Sequence, residues 1–281
     1  MFIGSFGELW ITPAPAFKES AMTALGVHGT EHGLIMGADG RKRVDDASRG
    51  KNPELASHDS VEAQKIFPIV GPDMVLAYAI AGNVIGDTPP FDSLKECATL
   101  AERAKTQNYQ DAKRLVNRFC KGLTDAINRV GHFPQINQNQ DGSWKVVDLL
   151  FAGYFRSIPF VIYAEINHSG KLAEFYSHSM SPQGLLYGSG VVRQKMYDDF
   201  GNPVRNSPFA EFIQDPQQIG SLNESEKYVR GYIEACSTEL ALSMDEAHCK
   251  KIGGHIHIAE ITLDGFRWRI PPIQTEQKPA A

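Results

Sequence analysis

Several residues of this chain could carry covalent chemistry, and their places in the sequence narrow the kind. Thr23 opens an apolar β-rich segment, Asp39-Gly40 closes the next, and Lys65 stands just before a third. Gly82 completes an Ala-Gly step after Ala81, and Ser189 lies between Gly188 and Gly190. A threonine hydroxyl is a poor nucleophile until a base takes its proton. A neighbouring lysine ammonium lowers the pKa of such groups, and an aspartate keeps that lysine charged and oriented. A glycine lets a backbone N–H approach a substrate closely enough to stabilise an oxyanion. Singly, each has an ordinary reading: a β-former, a turn, an edge charge and a loop. His255 and His257 lie two apart, hence on one strand face, with His248 and Cys249 close in sequence. A metal would need a convergent third and fourth ligand. The expected reading is instead strand histidines facing solvent or a subunit interface, with no metal and no cofactor. Phosphate-loop, dinucleotide-glycine and HExxH motifs do not occur.

Composition bounds the function classes. The chain has 281 residues, 42% hydrophobic and 22% charged, and carries a formal net charge of −5. That length supports a sizeable core without disulfide or metal staples. The acidic balance argues against a nucleic-acid binder that relies on clustered Lys and Arg. The longest apolar runs, Met74–Gly82 and Val146–Phe155, fall far short of the roughly 20 residues a bilayer demands. Cys97, Cys120, Cys236 and Cys249 form no CxxC pair and read as reduced, mostly buried thiols of a cytoplasmic protein. No Lys or Arg precedes Lys18, and Glu8 interrupts the apolar stretch before it, which argues against a secretory signal.

The elements that must position these residues follow from periodicity and turn signals. Thr23–Thr30 and Gly33–Asp39 read as a hairpin across Glu31-His32. Arg41–Ser60 is charged and apolar-poor, hence a loop. Lys65–Val70 and Met74–Ala81 flank the Gly71-Pro72-Asp73 turn. Asp92–Thr106 and Asp111–Val130 carry apolar residues close to a 3.6 period and predict helices. Strands follow over Val146–Phe155, Pro159–Ile166 and Leu172–Ser177, with a turn at Asn167-His168-Ser169-Gly170, and a short one within Gly184–Gly190. Glu224–Ser243 predicts one helix capped by Asn223 or Ser221. His255–Leu263 and Phe266–Ile270 form a closing hairpin around Asp264-Gly265. Segregated runs of strands and helices indicate an α+β fold with helices on antiparallel sheets, in one domain.

Order and spacing of the motifs resemble the proteasome β-subunit and HslV family of N-terminal nucleophile hydrolases. The segment TALGVHGTEHGLIMGADGRKR, followed by QKIFPI and AYAIAGNV, is similar to that family's opening strands. Thr23 falls where the family has its catalytic threonine, and Asp39 lies sixteen residues on, at the family spacing. Lys65 and Gly82 match the family lysine and the glycine whose N–H meets the oxyanion. Gly188-Ser189-Gly190 matches a GSG whose serine lies near the nucleophile's amine.

The resemblance implies a four-layer αββα sandwich of antiparallel sheets over 23–270, with a polar tail at 271–281. It implies a threonine peptidase using the α-amine of Thr23 as base, with Asp39, Lys65 and Ser189 in the site and Gly82 supplying the oxyanion donor. Thr23 is internal, so residues 1–22 would have to be removed, either as a propeptide or because translation begins at Met22 and that methionine is trimmed. The family's Asp-x-x-Ser before Gly-Gly would fall on Cys249 and Ile252, neither of which can play its counterpart's hydrogen-bonding role. The resemblance further implies peptide or unfolded-protein substrates, a ring-forming homo-oligomer and room for an ATPase partner. An inactive assembly subunit and a small-molecule amidase on the same fold are the alternatives.

Overall fold

The computed structural model describes residues 23–41, 62–82, 85–87, 90–130, 143–182 and 184–273. The expected extension over 1–22, nearly all of the Arg41–Ser60 loop and most of the polar tail lie outside these residues. Strands β1 (Leu25–Thr30) and β2 (Gly33–Asp39) form the opening hairpin, and β3 (Ile66–Gly71) and β4 (Met74–Gly82) the second. A small hairpin, β5 (Ile85–Asp87) and β6 (Pro90–Asp92), leads to helices α1 (Ser93–Thr106) and α2 (Ala112–Val130). Then come β7 (Trp144–Phe155), β8 (Ile158–His168), β9 (Ala173–Met180) and β10 (Leu185–Tyr187). Helix α3 (Gly190–Met196) precedes α4 (Leu222–Cys236), α5 (Glu239–Met244) and α6 (Glu246–Cys249). Strands β11 (Ile256–Thr262) and β12 (Gly265–Ile270) close the fold.

Two five-stranded antiparallel sheets result, ordered β10-β1-β2-β11-β12 and β3-β4-β7-β8-β9. Successive side chains on a strand point to opposite faces, and here both faces are buried. Leu25, Val27, Leu34, Met36 and Ala38 of the first sheet meet Ala77, Ala79, Leu150 and Ala152 of the second in an inter-sheet layer. Their neighbours Leu76, Tyr78, Leu149 and Phe151 face the other way, onto α1 and α2 through Cys97, Leu115, Phe119 and Leu123. On the far side, Ala24, Ile35 and Ile258 pack under Val229, Tyr232 and Ile233 of α4. The layers run helix, sheet, sheet, helix. Burial on both faces is why these strands read as near-continuous apolar runs rather than as clean alternation.

Some element boundaries depart from the sequence reading, and of the two caps it offered for the helix near Glu224 one is realised. Glu224–Ser243 is two helices. Ser237 caps the end of α4, and Thr238 starts α5 by accepting the Ala241 N–H at 3.1 Å. Ser-Thr ahead of Glu239 is itself a helix-start signal, and the polar cap wins over continued 3.6 periodicity. The N-terminal cap of α4 is Ser221, in a reciprocal capping box with Glu224. His168 belongs to β8, so the turn begins at Ser169, whose N–H meets the Leu172 carbonyl at 3.0 Å.

Helix α4 sits close to β1 and β2 because Gly26 and Gly37, paired across the hairpin, leave room for Val229. A Cβ at Gly37 would stand 2.6 Å from Val229 Cγ1 and 3.1 Å from Ile233 Cδ1. Val229 is fully buried and stiff at χ1, so relief requires the helix itself to shift. Gly37→Val is therefore expected to destabilise the fold by about 1–3 kcal/mol through overpacking, read as a lower urea unfolding midpoint.

Candidate active site

The chemistry-bearing residues converge where the starts of β1 and β3 meet the end of β2. Thr23 precedes β1 and is buried. Lys65 precedes β3, and its Nζ donates to Thr23 Oγ1 at 2.8 Å and to Asp39 Oδ1 at 3.0 Å. Asp39, the last residue of β2, has no exposed surface. Its Oδ1 also accepts the Ala24 N–H at 2.9 Å, while Oδ2 accepts the N–H of Arg41 at 3.1 Å and of Gly253 at 3.0 Å. Burial pushes the Asp39 carboxyl up, opposed by the Lys65 charge and by the N–H donors of Gly253 and Ala24. The same burial pulls the Lys65 ammonium down, opposed by Asp39. In the Lys65–Thr23 bond the ammonium is the donor and the hydroxyl oxygen the acceptor.

Gly253 can serve Asp39 because its φ of +131° places it in a backbone region that glycine alone enters cheaply. Arg41 closes the same corner, donating from Nη1 to the Lys250 carbonyl at 3.2 Å.

Ser189 reaches the site from β10. Leu25 pairs with Tyr187, and carrying that antiparallel register two residues further sets Ser189 across from Thr23. A Cβ at the intervening Gly188 would lie 3.2 Å from Ala24 Cα, which shows how closely the two backbones run. The described hydrogen bonds of the Ser189 hydroxyl lead elsewhere: it donates to Asp245 Oδ2 at 2.5 Å and accepts the Val192 N–H at 3.1 Å. Gly82 lies on the other sheet, ending β4 two residues beyond Ile80, whose N–H bonds the Lys65 carbonyl at 3.0 Å. Its φ is +105°, and a Cβ there would stand 2.5 Å from the Val146 carbonyl oxygen.

Two contributors escaped the sequence reading. The carboxylate facing Ser189 is Asp245 and not a residue at position 249. Asp245 stands just before α6, four residues ahead of Cys249, so a count back from Gly253-Gly254 does not reach it. Burial raises the Asp245 carboxyl, but donors from Ser189 and from His248 Nδ1, 2.7 Å away, outweigh it and leave it below its ordinary value. Burial pushes the neighbouring Cys249 thiol up to about 11, so it stays neutral.

The second is His257. It faces neither solvent nor an interface: it lies in the inner layer, on the face shared by Ala259 and Ile261, with its Nε2 accepting the Lys65 N–H at 3.0 Å. Strand parity was the available signal. His255 instead meets the Pro271 carbonyl at 2.7 Å. Among the described residues no group of three or more His, Cys, Asp and Glu side chains is placed to hold a metal.

Two antiparallel sheets stacked between helix layers make up a four-layer αββα sandwich. Solved structures of Anbu proteins share it. One is an Anbu (Gly-1) mutant from Hyphomicrobium sp. strain MC1, with a TM-score of 0.55, 13% identity, and coverage of 91% of this chain and 89% of that one. A second is the Anbu (ancestral beta-subunit) from Yersinia bercovieri, with a TM-score of 0.52, 13% identity, and coverage of 92% and 89%. A third is the Anbu complex of Pseudomonas aeruginosa, described as a helical assembly, with a TM-score of 0.52, 10% identity, and coverage of 91% and 88%. No protein-family model and no curated protein matches the sequence.

Two buried histidines, His257 at the site and His28 under α4, give the fold a pH dependence. Burial lowers the pKa of His257 to about 3 and that of His28, whose Nδ1 meets Ser225 Oγ at 2.9 Å, to about 4, from an ordinary 6.5. Both are neutral when folded, so the unfolded chain takes up their protons first as pH falls. Stability from these groups is full above 6.5 and is lost progressively as pH falls from there, the loss being complete once pH has dropped through the folded values. The urea midpoint is expected to fall between about pH 7 and pH 5, and less steeply in His257→Gln, whose amide oxygen can still accept the Lys65 N–H.

Proposed function

We propose that the chain is a threonine-type peptidase of the proteasome-like class, with Thr23 as its nucleophile. The observation that supports this most directly is the Lys65 ammonium bridging Thr23 Oγ1 and Asp39 Oδ1 inside a buried corner. In this reading the α-amine of Thr23, with an unperturbed pKa of about 8, takes the hydroxyl proton. Oγ then attacks the peptide carbonyl, and the oxyanion is met by the Gly82 N–H. The leaving amine carries the proton away, and water hydrolyses the resulting Thr23 ester to release the acid and regenerate the site. Lys65 biases the amine and hydroxyl towards their reactive forms, Asp39 holds Lys65, and Ser189 orders the amine's surroundings.

The amine must be free, so the reading includes removal of residues 1–22, by cleavage or by initiation at Met22 followed by loss of that methionine. It also includes a cytoplasmic homo-oligomer, ring-forming like proteasomes or helical like the Pseudomonas aeruginosa Anbu complex, acting on peptides or unfolded protein with room for an ATPase partner. Among the described residues, no helix is long and apolar enough to cross a membrane.

The test compares a chain starting at Met22, the full-length chain and Thr23→Ala, by intact mass and fluorogenic peptide turnover. The short form is expected to lose Met22 and hydrolyse peptides. Thr23→Ala is expected to lose at least roughly a thousandfold in rate, and a full-length chain that stays uncut is expected to be inactive. Equal turnover by the uncut chain would exclude Thr23 as nucleophile and leave the amidase reading. Absence of turnover in a verified Thr23-terminal chain would favour an assembly subunit.

A further inference from the structure

Outside the Thr23 corner, a polar cluster lies among apolar residues of the inter-sheet layer. Asp148 of β7 is buried and faces inward, on the same side as Leu150 and Ala152. Its two carboxylate oxygens are taken by two phenols: Tyr163 donates to Oδ1 at 2.5 Å, and Tyr187 donates to Oδ2. Lys145 Nζ stands 3.2 Å from Asp148 Oδ1 and 3.4 Å from Glu165 Oε2, and lies over the Tyr187 ring, 5.8 Å from its centroid.

The two tyrosines are chemically alike but differ in where they come from. Tyr163 is on β8, in the same sheet as Asp148. Tyr187 is on β10, in the opposite sheet, paired with Leu25 and two residues from Ser189. Asp148 itself pairs with Ala81, and the next pair along is Gly82 with Val147. The Tyr187–Asp148 bond therefore joins β10, which flanks the strand that Thr23 opens, to β7, whose neighbour β4 ends in Gly82. Around it the sheets touch through Ala77, Ala79, Ala81, Leu25 and Leu150. Apolar contact is non-directional and does little to prevent sheets sliding by a fraction of an ångström, whereas a phenol–carboxylate bond in a low-dielectric layer is strong and directional.

We propose that Asp148 and Tyr187 are positioning residues, a tie between the sheets that sets the distance between the Thr23 nucleophile and the Gly82 N–H. This rests on the peptidase reading, since the distance matters only if both groups act on one carbonyl. The tie touches no reacting atom. It acts through the backbones of β10 and β7, and Tyr163, bound to the same carboxylate from the same sheet, cannot do so.

That asymmetry supplies the experiment. Tyr187→Phe and Tyr163→Phe each remove a phenol–carboxylate bond to Asp148, and the Tyr163 hydroxyl also accepts from the Lys145 ammonium at 3.2 Å and lies 3.4 Å from Glu165 Oε2, so a purely structural role predicts losses of Tm and of activity at least as large for Tyr163→Phe. The tie predicts that, even with a Tm loss no larger than that of Tyr163→Phe, an about tenfold or greater fall in kcat occurs for Tyr187→Phe alone, with KM nearly unchanged, because an ångström-scale misplacement of reacting groups is costly in rate. Asp148→Asn is expected to lower kcat in the same way, and if it fails to fold the tyrosine pair still decides. A fall in kcat at least as large in Tyr163→Phe as in Tyr187→Phe, or wild-type kcat in Tyr187→Phe, would overturn the tie while leaving the peptidase reading intact. Absence of Thr23-dependent turnover in the wild-type chain would overturn the peptidase reading and this inference with it.

Discussion

A lysine ammonium and an aspartate carboxylate, both removed from water, are the constraint around which this end of the molecule is built. Each ion alone would cost several kcal/mol to bury, and their attraction offsets that only with good geometry and with every remaining lone pair satisfied. The structure meets the condition on all sides. Asp39 collects the Lys65 ammonium and the N–H groups of Ala24, Arg41 and Gly253, and the hydroxyl of Thr23 takes a second Lys65 hydrogen bond. The backbone of Lys65 is held by His257 from one side and by Ile80 from the other. Five separate stretches of chain must therefore arrive together, and the start of β1 is fixed by the same bonds that keep the ion pair tolerable.

The layered architecture makes that convergence available. Small side chains on the inner faces, Ala38 and Ala259 on one sheet and Ala77, Ala79 and Ala152 on the other, fill an apolar layer between the sheets. Polar groups then gather where the layer ends, beside Thr23, and at the Asp148 cluster deeper in. On the outer face of the first sheet, the Gly26–Gly37 pair lets α4 settle against β1 and β2, and Tyr232 of that helix donates to the Ser189 carbonyl at 3.1 Å. Helix packing is in this way coupled to the position of the loop that carries Ser189.

The Ser189–Asp245–His248 chain ties the loop after β10 to the segment between α5 and α6. A few residues further along, Gly253 delivers its N–H to Asp39, so one stretch of chain braces both Ser189 and the buried carboxylate.

How much of this could be read without coordinates varies with how local the cause is. Strand hairpins around Glu31-His32 and Gly71-Pro72-Asp73, and helices α1 and α2, follow from apolar period and turn chemistry, and are legible in the residues themselves. The break between α4 and α5 was also legible, in the Ser-Thr step before Glu239, but was masked by an apolar period that continues through it. The order of Thr23, Asp39, Lys65, Gly82 and Ser189 is sequence information too, because spacing along the opening strands sets the register of whatever pairs there. What only the tertiary structure decided is which distant groups meet: His257 on the Lys65 backbone, Asp245 on Ser189, Tyr187 on Asp148 across the sheets. These contacts span tens to hundreds of residues, and no local preference of the chain encodes them. Burial of both sheet faces selects them, since a polar side chain driven inward must find a partner there or cost the fold its stability.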